Sequence, residues 1–590
     1  MALLDFFLHP AAGFFLLALI LPFFRGRFWQ WLLFLPPLTA MVLVFQMKLG
    51  TYWALSYVGQ KLVLGRVDTL SMSFVILFSL MTFICTIFAF HIREKAHHVA
   101  SLYYMGASFG CILAGDYWTL YIFWQFMTVS SAFLIWFSRR PRSAQAGFRY
   151  MLLLLLSSVL LLAGILLRQR VTGTFVFGPA DTNMMWHFDW LILAAFCING
   201  AVVPLHAWLT DAYPEATVAG AVFLSVFTTK TAIYALARCF VGLDFLVILG
   251  AVMAVYGAFY ALTANHIRRI LAYLMVSQGG LMLAGIGMDT KMGLDGALAL
   301  VYAHTFYNAL LFMAAGCLLH TLKEDHLTRL GGLAPKVPFI LACTMVGGLS
   351  MSAMPLLNGF VSIPLILEAC WQESPFSAMA LALAMAGTFA AVGLRLPYFA
   401  FWSKKLSKGK KQVTLPLNMT AAMVLASLFC IIQGIFPHLL YRWMPAPLEE
   451  NPFTLWKILG AFLFLGLISM VFIFVRRGLT PGTRRLPDFD LLYRFVGREI
   501  MGLLARPLAW MDGIWTDLYR TVVLRATTGT ARGAGWFDKS GIDKAVDGPA
   551  RLVMGLGKIS ARMQTGRLQE MLAWMVLLAL GLFALIWFWP

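Results

Sequence analysis

One feature governs everything else in this chain. About sixteen stretches, each near the 20 apolar residues that a helix needs to cross a bilayer, follow one another with short gaps. They lie near 4–24, 29–46, 69–91, 97–114, 116–138, 147–167, 189–209, 217–240, 243–263, 268–288, 294–320, 337–371, 375–402, 416–438, 455–476 and 570–589. Lipid offers the backbone no hydrogen bonds, so such runs must close their own as helices. Composition agrees: 61% of the 590 residues are apolar and 12% are charged, against about half and a quarter in soluble domains. A soluble enzyme is excluded. The expected fold class is an all-α polytopic membrane protein with about 16 transmembrane helices.

The net charge of +19 would suggest nucleic acid in a soluble protein. In a membrane protein it is the ordinary sign of basic cytoplasmic loops, and no nucleic-acid partner is expected. With sixteen spans, one set of loops holds Arg25, Arg27, Arg93, Lys95, Arg139, Arg140, Arg142, Arg149, Arg268, Arg269, Lys323, Arg329, Lys336, Lys404, Lys405, Lys408, Lys410 and Lys411. That is about 18 basic residues against about 8 on the other side, which makes this side cytoplasmic. The chain is thus expected to be multi-pass in the cell inner membrane, with both termini on the outer, periplasmic side. MALLDFFLHP has no basic n-region, so no cleaved signal peptide is expected.

The eight cysteines all fall within or beside apolar runs, and no C-x-x-C occurs. Neither an iron–sulfur nor a cysteine zinc site is expected, nor a disulfide framework. Dinucleotide, P-loop and haem-attachment motifs are absent from the sequence. The expectation is no metal, no cofactor and no redox centre in this chain.

Two regions interrupt the helical pattern. PLHAWLTDAYPEA carries Pro204, His206 and Pro214, and SMSAMPLLNGFVSIP carries Pro355, Gly359 and Pro364. Proline and glycine break helix hydrogen bonding, and paired broken membrane helices point to ion or substrate sites. A third anomaly is 477–569, with 15 basic and 8 acidic residues between apolar positions at helical spacing. It is expected to lie along the membrane surface or against partner subunits, with GTARGAG (529–535) as a breaker.

Seven segments together resemble one family: RVDTLSMSF (66–74), YIFWQFMTVSSAFLI (121–135), VVPLHAWLTDAYPEATVAGAVFLSVFTTKTAIYALAR (202–238), HIRRILAYLMVSQGG (266–280), YAHTFYNALLFMAAGCLLH (302–320), LGGLAPKVP (330–338) and LSMSAMPLLNGFVS (349–362). They are similar to the antiporter-like membrane subunits shared by respiratory complex I, membrane-bound hydrogenases and Mrp-type cation/proton antiporters. MQTGRLQ (563–569), before a last helix, resembles the end of the distal, lateral-helix-bearing complex I subunit. The resemblance implies two inverted five-helix repeats with two broken helices, and a C-terminal lateral amphipathic helix. It also implies a midplane row of Glu, Lys and His that moves protons or sodium ions, coupled to redox chemistry in partner subunits of NADH-quinone oxidoreductase or membrane hydrogenase type. The implied partners are other membrane subunits of a multi-subunit complex, the lipid bilayer, and protons or sodium ions.

Transferred residue by residue, that row is mostly absent. Gln125 stands where the family has a Glu after Trp124, and Asn199 where it has a Lys five residues before Pro204. Asn308 follows His304 in place of a Lys, and Ile363 follows Ser362 in place of a charge. Lys230 in TTKTAIYAL and His304 remain, with Glu368 as an acid further along. A proton relay needs groups that gain and lose protons near working pH, and amides do not. Losing both members of a buried ion pair avoids the roughly 3–5 kcal/mol of stranding one. The candidate ion pathway is therefore Lys230, His304 and Glu368. His206 is expected to brace the helix break.

Two roles stay open within the family: residual cation transport, or a scaffold whose sister subunits pump. A third is the membrane subunit of an inorganic-carbon uptake system. The expected organisation is 1–68, N-terminal helices and an outer loop; 69–402, the antiporter-like core; 403–476, additional transmembrane helices; 477–569, the lateral amphipathic segment; and 570–590, a C-terminal anchor.

Overall fold

The computed structural model describes residues 9–26, 28–57, 59–403, 415–445, 451–482, 486–563 and 568–588. Arg27, the lysines at 404, 405, 408, 410 and 411, and most of MQTGRLQ lie outside the described residues. The chain divides into two units, Met1–Asp490 and Leu491–Pro590.

The first unit is helical apart from one hairpin. It runs α1 (Pro10–Ile20), α2 (Leu35–Gln46), β1 (Gly50–Tyr57), β2 (Gln60–Val67), α3 (Thr69–Ala89), α4 (Lys95–Leu113), α5 (Tyr117–Trp136) and α6 (Pro141–Thr172). It continues with α7 (His187–Asn199), α8 (Ala207–Ala212), α9 (Val218–Val226), α10 (Thr228–Cys239), α11 (Asp244–Thr263), α12 (Ile267–Gly287) and α13 (Lys291–Leu322). After these come α14 (Pro338–Met351), α15 (Ile363–Glu373), α16 (Pro375–Thr388), α17 (Leu417–Ile435) and α18 (Leu455–Val475).

Among the described residues, twelve helices are long and apolar enough to cross a membrane, with α9 and α10 taken together as one of them. The protein is multi-pass and mostly helical. Three further apolar helices are shorter: Pro10–Phe23, His187–Asn199 and Pro338–Met351. The last two end where the prolines were expected to interrupt them, which is why those runs give no full-length helix.

The strands are a departure from an all-α chain. β1 and β2 pair antiparallel from Gly50↔Val67 to Tyr57↔Gln60. The hairpin is fastened from outside: Val63 N donates to Asp116 Oδ2 at 2.7 Å, and Gly115 N to the Val63 carbonyl at 2.9 Å. At its end, Asp68 caps α3 and receives both Arg238 amino groups of α10 at 2.8 Å. Charge-assisted bidentate pairs are strong and directional, so this one ties the hairpin's exit to the end of α10.

α11 and α12 cross with backbones nearly touching. A Cβ on Gly257 would sit 2.4 Å from Ser277 N and 2.5 Å from the Tyr273 carbonyl. In lipid, where burial drives helices together weakly, such small-residue contacts do much of the holding. Two arginines work inside rather than in loops. Arg268, 1% exposed, donates to the Ala216 carbonyl at 2.8 Å, and buried Arg395 reaches the Ala264 carbonyl at 2.8 Å. Arg268 is therefore a buried tether, not the free loop charge its position suggested.

In the second unit, α19 (Asp490–Leu518), α20 (Leu524–Phe537) and α21 (Asp543–Met563) are joined by single π-turns, and α22 (Leu568–Phe588) follows. GTARGAG does not break the helix; it lies inside α20. Glycine costs about 1 kcal/mol in a helix against about 3 for proline, and the stretch contains no proline. The hydroxyls of Thr527, Thr528 and Thr530 bond back to carbonyls four residues earlier.

Candidate functional site

Both interrupted helices break in the same manner. α7 stops at Asn199, and two residues later Ala201 takes a positive φ of 54°. α14 stops at Met351, and two residues later Ala353 takes a φ of 56°. A left-handed conformation in an alanine costs about 1–2 kcal/mol, so the surroundings must enforce it. Pro204 lies in the first non-helical stretch, 200–206, and Pro355 in the second, 352–362. Gly359 lies in the second too. A Cβ there would meet the Ser350 carbonyl at 1.8 Å, so only glycine lets the segment fold back on the end of α14. Pro364 sits in the first turn of α15, where its missing N–H costs nothing.

A third interruption, at Phe227, separates α9 from α10 and positions Lys230. Lys230 is 1% exposed; its Nζ donates to the Ser225 carbonyl at 2.7 Å and to Thr229 Oγ1 at 3.3 Å. Its ammonium thus serves a carbonyl at the break. Thr228 N, next to the interruption, donates to the Tyr104 hydroxyl at 3.0 Å. Among the described residues, no carboxylate forms an ion pair with Lys230.

His304 is buried on α13, within electrostatic range of Lys230. Its ring packs edge-on against Tyr307 at 5.4 Å, and neither ring nitrogen has a protein partner. One turn on, Asn308 is fully buried with both amide atoms unpartnered, as is Asn199. Gln125, half-buried on α5, has an unpartnered Nε2. Ile363, the first residue of α15, is 1% exposed.

Glu368 is not joined to this group. Its carboxylate lies 2.8 Å from Lys457 Nζ, in the first turn of α18, and is 39% exposed. The pair borders an open apolar groove of about 350 Å³ lined by Ile363, Pro364 and Phe464. Of the three candidate pathway residues, Lys230 and His304 are both buried and within electrostatic range of each other, and Glu368 pairs with Lys457 on a helix flank.

Residues 114–392 match the family described as NADH:quinone oxidoreductase/Mrp antiporter, transmembrane. This matched segment, a little under half of the chain, is similar to the antiporter-like membrane subunits of that family.

The chain is similar to hydrogenase-4 component B of Escherichia coli (strain K12), 27% identical, matching 63% of this chain and 62% of that protein. It is also similar to NAD(P)H-quinone oxidoreductase chain 4 1 of Synechococcus sp. (strain JA-3-3Ab), 30% identical over 53% of this chain and 61% of that one. The chain therefore spans about three fifths of each of these two relatives. The fold is shared with a chain of the Mrp complex from Dietzia sp. DQ12-45-1b, at TM-score 0.71 and 21% identity, covering 88% of this chain and 62% of that one.

One buried acid has no signature in the sequence that names its partner. Asp488, beyond α18, turns into the core and has no exposed side chain. His206 Nε2 lies 3.4 Å from its Oδ1; the hydroxyls of Tyr256 and Tyr273 donate to it, as does Phe489 N at 2.6 Å. The Tyr260 hydroxyl binds the neighbouring Pro487 carbonyl at 2.6 Å. Burial pushes the Asp488 carboxyl up, but the contacts from His206, Tyr256 and Tyr273 outweigh it and hold it well below the usual carboxylate range. His206, just beyond the first break, faces this carboxylate. The signal available in sequence was an acid in a basic, proline-flanked stretch, RRLPDFD, with nothing to name its partner.

Proposed function

We propose that this chain is a membrane subunit of a multi-subunit, cation-translocating assembly of the complex I, hydrogenase or Mrp type, and that within it the chain is structural. Its sister subunits carry protons or sodium ions, coupled to redox chemistry in partner subunits where the assembly has it. The carrying observation is Lys230. Its ammonium is spent on the Ser225 carbonyl at a helix break, and among the described residues no acid pairs with it. Gln125, Asn199, Asn308 and Ile363, none of them titratable, occupy the other places of the row.

The matching breaks after Asn199 and Met351 support two inverted repeats. Basic loops support an inner-membrane orientation with the loop between α11 and α12 on the cytoplasmic side. The polar atoms of Asn199, His304 and Asn308 favour a pocket of buried water, since an unsatisfied buried group costs about 1–3 kcal/mol. Water without a chain of titratable groups fills space without committing a charge to cross. The segment 490–563 is a lateral strut. Among its described residues, apolar side chains such as Trp510, Trp515 and Trp536 are exposed.

Membership is tested by isolating the full chain from its native membrane in mild detergent. Stoichiometric co-purification of further membrane subunits is expected. A chain that runs alone and supports ion flux alone in vesicles contradicts the proposal.

A further inference from the structure

Away from the Lys230 region, two connecting loops meet and place four metal-ligating side chains together. The loop between α11 and α12 supplies His266; the loop after α13 supplies Glu324, Asp325 and His326. From the structure we infer that His266, Asp325 and His326, with Glu324 beside them, form a binding site for a divalent transition-metal ion of the zinc class.

The donors face one another. Asp325 presents one oxygen to each imidazole: Oδ2 is 3.0 Å from His266 Nε2, and Oδ1 is 3.3 Å from His326 Nδ1. The three ligand atoms lie within 4.8 Å of one another. Donors at about 2.1 Å from a tetrahedral ion stand about 3.4 Å apart, so the two carboxylate–imidazole spacings already fit and only a wider separation, within the 4.8 Å bound, has to close. Glu324 Oε1, 2.8 Å from His326 Nδ1, is placed as a further ligand. Two imidazoles with carboxylates suit zinc, nickel or cobalt, whereas magnesium and calcium prefer all-oxygen sets.

The site is built before any ion arrives. His266 and His326 are paired as an antiparallel bridge. Ile267 N donates to the Asp325 carbonyl and Leu327 N to the Asn265 carbonyl, both at 2.9 Å. The Asn265 side chain exchanges two bonds with Thr328, at 3.0 and 3.1 Å. The ligands therefore lose little further freedom on binding, which is what raises affinity at a preformed site.

There is also a way in. A pocket of about 110 Å³ opens beside both imidazoles, lined by Tyr260, Asn265, Arg269 and Tyr273. That is room for a few waters, at about 30 Å³ each, to complete the coordination shell. Two cations oppose the ion. Arg268 Nε is 3.4 Å from Asp325 Oδ2, and Arg329 Nη1 is 3.1 Å from Glu324 Oε2. They favour a site of moderate affinity. The bound ion would clip two loops about 60 residues apart in the chain. The same pocket is bordered by Leu486, two residues before Asp488, so the clip also walls the return segment.

The test uses the untagged full chain in detergent, within its assembly where it has one. Protein is equilibrated with zinc chloride, separated from free ion and assayed for zinc. Cobalt loading then reports geometry through its visible d–d absorption. One zinc per chain with micromolar or tighter affinity is expected, with a cobalt spectrum of four- or five-coordinate character. His266→Ala and His326→Gln should each weaken binding at least tenfold, and His187→Ala, an exposed histidine elsewhere, should not. All variants should elute from size exclusion as the parent does. Equal zinc content in the parent and in the folded His266→Ala/His326→Gln double variant overturns the inference, as does no stoichiometric zinc in the parent.

Discussion

His206 Nε2 and Asp488 Oδ1 lie 3.4 Å apart, although 282 positions separate them in the sequence. The histidine starts the short helix after the first break, and the aspartate arrives on the segment that follows the last core helix. The interruption after Asn199 is therefore closed by a residue from the far end of the same unit. Replacing Asp488 by Ala leaves His206, Tyr256 and Tyr273 without their shared acceptor. Losing one member of such a buried set should cost about 3 kcal/mol or more. A clear fall in the unfolding temperature of the detergent-solubilised chain is expected, with Asp488→Asn intermediate.

The same carboxylate sets a pH dependence. Its folded-state pKa lies below the ordinary value of about 3.9, so near pH 4 the unfolded chain binds more protons than the folded one. Its stabilisation is complete above about pH 5 and is lost as pH falls through the folded value. Asp68 acts with the same sign: burial raises its carboxyl, and Arg238 more than reverses this. Unfolding temperature should fall from pH 5 to pH 3, and Asp488→Asn should flatten that slope without changing the sign of what remains.

Gly359 tests the second break. A methyl group there collides with the Ser350 backbone, which cannot move aside as a flexible side chain would. Gly359→Ala should cost about 3 kcal/mol or more. Gly460, with open space around it on α18, is the matched control, and Gly460→Ala should leave the unfolding temperature unchanged or raise it slightly.

Restoring the family charges gives a non-additive expectation. Asn199→Lys alone places an ammonium in a fully buried position, and Gln125→Glu alone adds a carboxylate on α5. If the two positions retain the family's pairing, each single change should reduce folded yield while the double change recovers much of it. The cycle should return a coupling of about 1–3 kcal/mol, read by thermal unfolding. Additive losses would show that the two positions no longer face each other.

Much of this was legible in the sequence, and the rest was hidden for physical reasons. Apolar runs reveal membrane helices because lipid imposes one solution on the backbone, and Pro204 and Pro355 marked breaks because proline cannot donate. Gln125, Asn199, Asn308 and Ile363 could be set against charged family positions only through a motif. The hairpin at Gly50–Val67 was missed because two short strands carry a weak local signal; what fastens them is Asp116, about fifty residues away. Glu368 looked like a candidate because a carboxylate in an apolar run usually has a function. Its partner Lys457 lies 89 positions on, where spacing says nothing. Asp488 and the His266–Asp325 pair were invisible for the same reason, since tertiary contact between distant loops leaves no local pattern.

The most direct measurement is proton and sodium flux in vesicles holding the purified assembly with Lys230→Ala in this chain, at subunit content equal to the parent. If the chain is structural, flux stays within about twofold of the parent. A loss of tenfold or more, with the assembly intact, would make Lys230 a carrier and contradict the proposal.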